Sequence, residues 1–340
     1  MHVCYHLTVP PSSWAACDAV VQEATALQVR FGGVINHLYP GRKPGTRFPR
    51  FFWGLPRLLR LRHLERQVTV HHIYNPDPYP FAILPWLRRP VVYTISAGVQ
   101  AGDRQNAQRL ARRVQVLVVA TEIDRERLNA WGIDNVVVVS PGMDLARFSS
   151  ASLPSELPPT LLMGSAPWTR EQFHTKGVKA LLAMAQSWPD LHLVFLWRGI
   201  LYQEMMQRVR TLGLDDRVDV INWQVDVNTV LARVHAAVAL ATGDAIIKAY
   251  PHSLLEALAA GRPVIVGARI PLGMDVQMAS AGVLLETLTV PALTHAFQTI
   301  LNDYDGFAQR AAALGATFSL PHFLEQYADV YQRVEKGFGG

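Results

Sequence analysis

Short apolar runs alternate along the chain with longer stretches whose apolar residues recur at helical spacing. Strands are predicted at Val68–Tyr74, Val91–Ile95, Val114–Ala120, Val136–Ser140, Thr160–Met163, His192–Trp197, Val218–Trp223, Ala236–Ala241 and Pro263–Val266. Many of these runs are almost continuously apolar, as in strands buried on both faces of a parallel sheet. Helices are predicted between them, at Lys179–Ser187, Tyr202–Thr211, Val227–Val234 and Ser253–Ala260. This alternation implies an α/β fold with parallel sheets. Ser149–Pro159, rich in Ser and Pro, separates two such series. The predicted organisation is one domain over 1–152, a second over 153–320, and a final helix over 321–336 with Phe323, Leu324, Tyr327, Val330 and Tyr331 on one face.

Composition narrows the class. The 340 residues are 50% apolar and 17% charged, which excludes a disordered chain. No apolar run reaches the ~18 residues that span a bilayer. The first residues, Met1 to His6, lack the basic and apolar regions of a signal peptide, and the two cysteines, Cys4 and Cys17, are too few for a disulfide scaffold or a four-cysteine zinc site. A cytoplasmic protein with two buried, inert thiols is expected.

The segment from Lys248 to Ile265 carries candidate chemistry. A loop leaves a strand and enters a helix near His252, whose first amides suit an anion such as phosphate. Glu256 lies one turn in, Gly261 ends the helix and Pro263 opens the next strand. On these residues alone, an ordinary loop–helix–strand unit with a solvated glutamate is the favoured reading.

The segment resembles the signature of retaining GT-B glycosyltransferases of the family-4 type: Glu, seven residues, Glu, then Ala-Met-Ala-x-Gly-x-Pro-Val. Glu256 matches the second Glu, and residues 257–264 match the eight positions from Ala to Val. The resemblance implies two facing Rossmann-like domains with a cleft between them. It implies transfer of a sugar from a nucleotide-sugar donor, with retention at the anomeric carbon. It assigns Glu256 to the donor ribose, where two carboxylate oxygens accept from adjacent hydroxyls. Three further segments agree. The stretch from Gly164 to Gly177 is similar to the family's diphosphate grip, with Arg170 and Lys176 as its cations. The stretch from Ser140 to Phe148 resembles the turn closing the first domain, where Gly142 would admit close backbone approach to the ligand. The final helix resembles the one that returns to the first domain. The implied donor site is Arg170, Lys176, Gly164, His252, Ser253, Leu254, Glu256 and Gly142, without a metal ion or other cofactor.

The sequence departs from the family at three places. Lys248 stands where the first Glu of the signature is expected, reversing the charge beside the donor sugar. A donor sugar bearing a carboxylate, a phosphate contact, or a weakened enzyme each accommodate that change. Ser96 and Ala97 stand where related enzymes often carry a histidine. The N-terminal glycine-rich loop is replaced by Thr8 to Trp14, which puts Ser12 and Ser13, with Ser96, on the acceptor side. Asp77, in the stiff turn Asn75–Pro80, either touches an acceptor hydroxyl or serves the turn. A catalytically silent protein that binds a nucleotide or an anionic lipid is the competing function, and a sugar-nucleotide epimerase on the same fold is a further one.

Charge is concentrated. Residues 42–66 hold eight basic residues and one acid, while the remainder holds 24 basic and 26 acidic residues. Phe48, Phe51, Phe52 and Trp53 interleave with Arg47 and Arg50, and leucines interleave with Arg57, Arg60, Arg62 and Arg66. An aromatic loop followed by an amphipathic helix suits an anionic membrane surface and a lipid or lipid-linked acceptor. A helix that packs its leucines on the first sheet is the plainer reading. Nucleic acid is disfavoured because no accompanying motif is present.

Overall fold

The computed structural model describes residues 1–9, 19–41, 48–148, 153, 156–197, 201–242 and 248–338. The chain divides into two compact units, Met1–Gly142 with Leu320–Gly340, and Met143–Ser319. Among the described residues each unit is built on a six-stranded, all-parallel sheet.

The first sheet comprises β1 (Val3–Leu7), β2 (Gly33–His37), β3 (Val70–Asn75), β4 (Val91–Ile95), β5 (Val116–Val119) and β6 (Val136–Val138), in the order β2-β1-β3-β4-β5-β6. β1, β3, β4 and β5 are buried along their whole length, as the apolar runs require. β1 and β2 were not legible in the sequence. Each has five residues and carries His, Asn or Gly among its apolar positions, so neither gives a continuous run.

The second sheet comprises β7 (Thr160–Met163), β8 (His192–Leu196), β9 (Val218–Ile221), β10 (Ala236–Ala239), β11 (Val264–Gly267) and β12 (Gly282–Leu285), in the order β12-β11-β10-β7-β8-β9. The chain runs from β7 outward through β8 to β9, then returns to the other side of β7 with β10. The strand order therefore reverses between β7 and β10. In open α/β sheets such a reversal leaves a crevice at the carboxyl ends of the strands, where ligands bind.

The final helix, Leu320–Phe338, belongs to the first unit. Phe323, Tyr327, Val330, Tyr331 and Val334 are buried with Val3, Tyr5, Tyr74 and Val92. Each buried ring or branched side chain stabilises the packing by about 1.5–3 kcal/mol. Three polar contacts lie inside this packing. His72 Nδ1 lies 2.7 Å from Tyr331 Oη, His72 Nε2 lies 2.8 Å from Thr94 Oγ1, and Thr94 Oγ1 lies 2.8 Å from Tyr327 Oη. The units part after Gly142, ten residues before the predicted boundary at 152. Met143 is the reason: its N–H donates to the Phe318 carbonyl at 2.8 Å, and its buried side chain joins the second unit's core beside Leu145 and Phe148.

The basic window is less free than its composition suggests. Its described part forms 3-10 turns at Arg50–Phe52 and Leu55–Arg57 and a helix of only seven residues, Leu58–Leu64. Arg50 donates to both carboxylate oxygens of Asp77 and, at 3.0 Å, to Asn75 Oδ1. Arg57 donates to the His37 carbonyl, and Arg62 to Glu65 at 3.0 Å. These three cations are bonded to partners within the unit. Arg60 and Arg66 are exposed, as are Phe48, Phe51, Phe52 and Leu59. Arg42, Lys43 and Arg47 lie outside the described residues. Among those described, no helix is long and apolar enough to cross a membrane.

Candidate functional site

The crevice between β7 and β10 gathers most of the predicted donor residues of the second unit. β7 ends at Met163 and is followed by Gly164. A side chain there would meet Ser253 Cβ at 2.5 Å and its Oγ at 3.0 Å. Glycine lets the strand exit press against the start of the helix His252–Ala259. That helix has Pro251 at its cap position, which supplies no side-chain acceptor. The amides of Leu254 and Leu255 both bond the Pro251 carbonyl, at 2.9 and 3.2 Å. The His252 and Ser253 amides are thus the ones at the helix mouth, and the helix dipole adds positive potential there. Leu254 is buried and anchors this first turn in the core.

Glu256 follows one turn later on the same helix face as His252, as i and i+4 positions must. His252 Nδ1 lies 3.5 Å from Glu256 Oε1. His252 Nε2 is buried and makes no hydrogen bond. Glu256 is half-buried.

Lys176 arrives from the other side of the crevice. It caps the short helix Gln172–Thr175 and precedes Gly177, which adopts a left-handed φ of 75° against Leu240. Its ammonium donates to Ser165 Oγ at 2.9 Å and to the Ala166 carbonyl at 3.1 Å. Burial lowers its pKa below the ordinary lysine value. A desolvated ammonium beside a strand exit gains most from an anion, because its lost hydration is replaced by direct charge pairing. The Thr242 amide donates to the Thr175 carbonyl at 2.9 Å, which ties the loop after β10 to the lysine's helix. Ser165 and Thr242 were not singled out from sequence. Ser165 acts through its hydroxyl on Lys176 and Thr242 through its amide on Thr175, contacts that no local pattern announces.

Arg170 is placed differently. Its side chain is 83% exposed and its Nε donates to Glu204 at 2.9 Å, where Arg208 also binds. Gly142 lies in the first unit, and the atom a side chain there would meet is Phe323 Cβ at 2.5 Å. The close approach foreseen at Gly142 is therefore made by the unit's own final helix. Lys248 is half-buried. The residues after it are fixed: the Ala249 carbonyl accepts from the Leu272 amide at 3.1 Å, and Tyr250 bonds Asp275, whose pKa is nonetheless raised by burial. In the first unit, the Ser96 amide donates to the Asn75 carbonyl at 2.9 Å at the end of β4. Ser12 and Ser13 lie outside the described residues.

A cleft of about 180 Å³ opens at the carboxyl ends of β10, β11 and β12, lined by Leu240, Thr242, Gly267, Arg269 and Glu286 among others. Its mixed polar and apolar wall adjoins the Thr242 tie. A larger cleft of about 240 Å³ in the first unit lies beside Gln108, Trp131 and Asn135, where the Gln108 and Asn135 amides already donate to backbone carbonyls.

Comparisons with known proteins agree with this architecture. The model described as Glycosyl transferases group 1 matches residues 170–315, and that described as Glycosyltransferase Family 4 matches residues 10–147. No curated protein matches the chain. Among solved structures, HepE from Anabaena, determined in complex with UDP, is similar at 15% identity and a TM-score of 0.74, covering 98% of this chain and 100% of its own. Sucrose-phosphate synthase from Thermosynechococcus elongatus is similar at 14% identity and a TM-score of 0.75, covering 99% and 100%. WaaG, a glycosyltransferase involved in lipopolysaccharide biosynthesis, is similar at 15% identity and a TM-score of 0.68, covering 96% and 99%. With both sheets parallel, the strand order reversing at the crevice and both halves matched by glycosyltransferase family models, the chain belongs to the GT-B glycosyltransferases of group 1.

Proposed function

We propose that this protein transfers a sugar from a nucleoside-diphosphate donor to an acceptor, with retention at the anomeric carbon and without a metal ion. The observation that carries the reading is the convergence of Lys176, the mouth of the helix at His252 and Ser253, and Glu256 at the β7/β10 reversal. Lys176 and the helix amides neutralise the departing diphosphate, and Glu256 accepts from the ribose hydroxyls. Arg170 joins the diphosphate on exchanging Glu204 for it, a small cost for an exposed ion pair. The similar structures of HepE were determined with UDP and with UDP-glucose, which supports a nucleotide-sugar donor. Lys248, a cation where the family carries an acid, makes a donor with an anionic sugar the first to test.

The acceptor is proposed to be a lipid or a lipid-linked sugar, reached from an anionic membrane surface. Support comes from exposed Phe51, Phe52 and Leu59 beside exposed Arg60 and Arg66. Rings at headgroup depth with cations nearby suit such a surface.

The deciding experiment screens UDP, GDP and ADP and their sugars, uronic acids included, by thermal shift and by release of nucleoside diphosphate. Stabilisation by one nucleotide, lost in Lys176→Ala, together with slow donor turnover, is the expected result. Stabilisation without any turnover assigns the chain to the silent binders. No stabilisation by any nucleotide overturns the donor site.

A further inference from the structure

The first unit holds a buried constellation that the transfer reaction does not use. Cys4 and His6 alternate along β1 with Val3, Tyr5 and Leu7, so the two leave the same face of the strand. His71 stands opposite Cys4 in the parallel pairing of β1 with β3. All three residues are fully buried. One donor atom from each, a sulfur and two ring nitrogens, lies within 4.8 Å of the others. The outer atoms are fixed by neighbours. His71 Nε2 lies 3.2 Å from Glu65 Oε1, and Asn36 Nδ2 lies 3.0 Å from His6 Nδ1. The inner nitrogens, His6 Nε2 and His71 Nδ1, face each other at 2.8 Å.

We propose that Cys4, His6 and His71 bind one zinc ion inside the first unit. The donor set is thiolate and imidazole, which zinc takes in preference to oxygen-only sites. A carboxylate on the far nitrogen of a ligating histidine is the usual outer partner, and Glu65 occupies that place on His71. On binding, the S–H bond breaks, a Zn–S bond forms and the proton leaves to solvent, while the His6 proton moves from Nε2 to Nδ1, where the Asn36 amide, turned over, accepts it through its oxygen. Burial pushes the free thiol up to about 12, so the ion must displace that proton. Burial and the neighbouring His71 and His72 hold His6 well below the ordinary histidine range, which keeps the neutral ring a ligand needs. Two nitrogens at zinc distances of ~2.0–2.1 Å stand about 3.4 Å apart around a tetrahedral ion. The rings therefore move apart by roughly half an ångström to admit it, and solvent takes the fourth position.

Without an ion the same atoms close a hydrogen-bonded chain. The Asn36 amide donates to His6, His6 to His71 and His71 to Glu65, a direction set by the amide's being only a donor at nitrogen. The test separates the two. Full-length protein purified without chelator is analysed for bound metal by mass spectrometry. Chelator-stripped protein is then titrated with cobalt(II) and followed through the near-ultraviolet thiolate-to-cobalt band. One zinc per chain, and a cobalt band that saturates at one equivalent, are expected. Both are expected to vanish in Cys4→Ala with its circular dichroism unchanged. Wild-type protein that holds no zinc and shows no band overturns the proposal and leaves the hydrogen-bonded chain alone. A band that survives in Cys4→Ala overturns it equally, because the thiolate is then another cysteine.

Discussion

A β-carbon on Gly164 would stand 2.5 Å from Ser253 Cβ, closer than two carbons can pack. The end of β7 and the first turn of the helix His252–Ala259 are thus in contact, and that contact sets the width of the anion cradle. Gly164→Ala must push the helix start outward, an overpacking cost of about 1–3 kcal/mol. The variant is expected to lose the nucleotide-induced rise in Tm. Gly164→Ala combined with Ser253→Gly removes the colliding atom and is expected to recover most of it. Thermal-shift titration of the two variants checks this.

Lys176 predicts an unusual pH dependence of binding. Burial lowers its pKa in the free protein, so the ammonium is lost at a lower pH than for an exposed lysine. A bound diphosphate favours the charged form, so binding takes up a proton in that range. Nucleotide affinity is therefore expected to fall with rising pH before the ordinary lysine range is reached. Arginine stays protonated throughout, so Lys176→Arg flattens the profile. Calorimetric titration in two buffers of different ionisation enthalpy measures the proton directly.

Glu256 is expected to read the ribose. A hydrogen bond to a charged acceptor contributes about 1.5–3 kcal/mol, so Glu256→Ala weakens nucleotide binding by roughly 10- to 100-fold. Wild-type protein should discriminate against the 2′-deoxynucleotide, and the variant should not. Equal loss of both nucleotides in the variant would place the carboxylate elsewhere.

The first unit is expected to be acid-sensitive. Burial lowers the His72 pKa from 6.5 to about 3, so the unfolded chain binds a proton that the folded chain refuses. Glu65 adds to this at lower pH. Burial alone would raise it, but hydrogen bonds from His71, the Arg88 amide and Arg62 outweigh that and hold it at about 2. Both groups favour the folded state fully above pH 6.5, and that advantage declines as pH falls through the His72 window and then the Glu65 window. Tm is expected to drop below about pH 6 relative to its value at neutrality. His72→Gln, which keeps partners for Tyr331 and Thr94, should show a shallower drop.

Phe51, Phe52 and Leu59, with Leu59 88% exposed, are expected to carry membrane contact. Serine at all three should abolish co-sedimentation with vesicles rich in anionic lipid and leave nucleotide binding unchanged. Wild-type protein that stays in the supernatant at low salt refutes the lipid-surface reading.

The sequence determined the α/β class because alternation of apolar runs with helical spacing is a local property. It singled out Gly164 and Lys176 in one stretch, and Ser253 and Glu256 in another, because each stretch resembles the family pattern. It could not reveal that Arg170 turns to Glu204, 34 residues away. Nor could it reveal that Gly142 makes room for Phe323, or that Arg50 commits its charge to Asp77. Cys4 and His6 stand two apart in β1, but the His71 that completes their cluster is 65 residues from His6 and comes beside it only through parallel strand pairing. Residue type and local spacing fix which chemistry is present. Tertiary structure decides which groups meet, because an ion pair or a ligand set forms only where packing has already offset the entropy of bringing distant segments together.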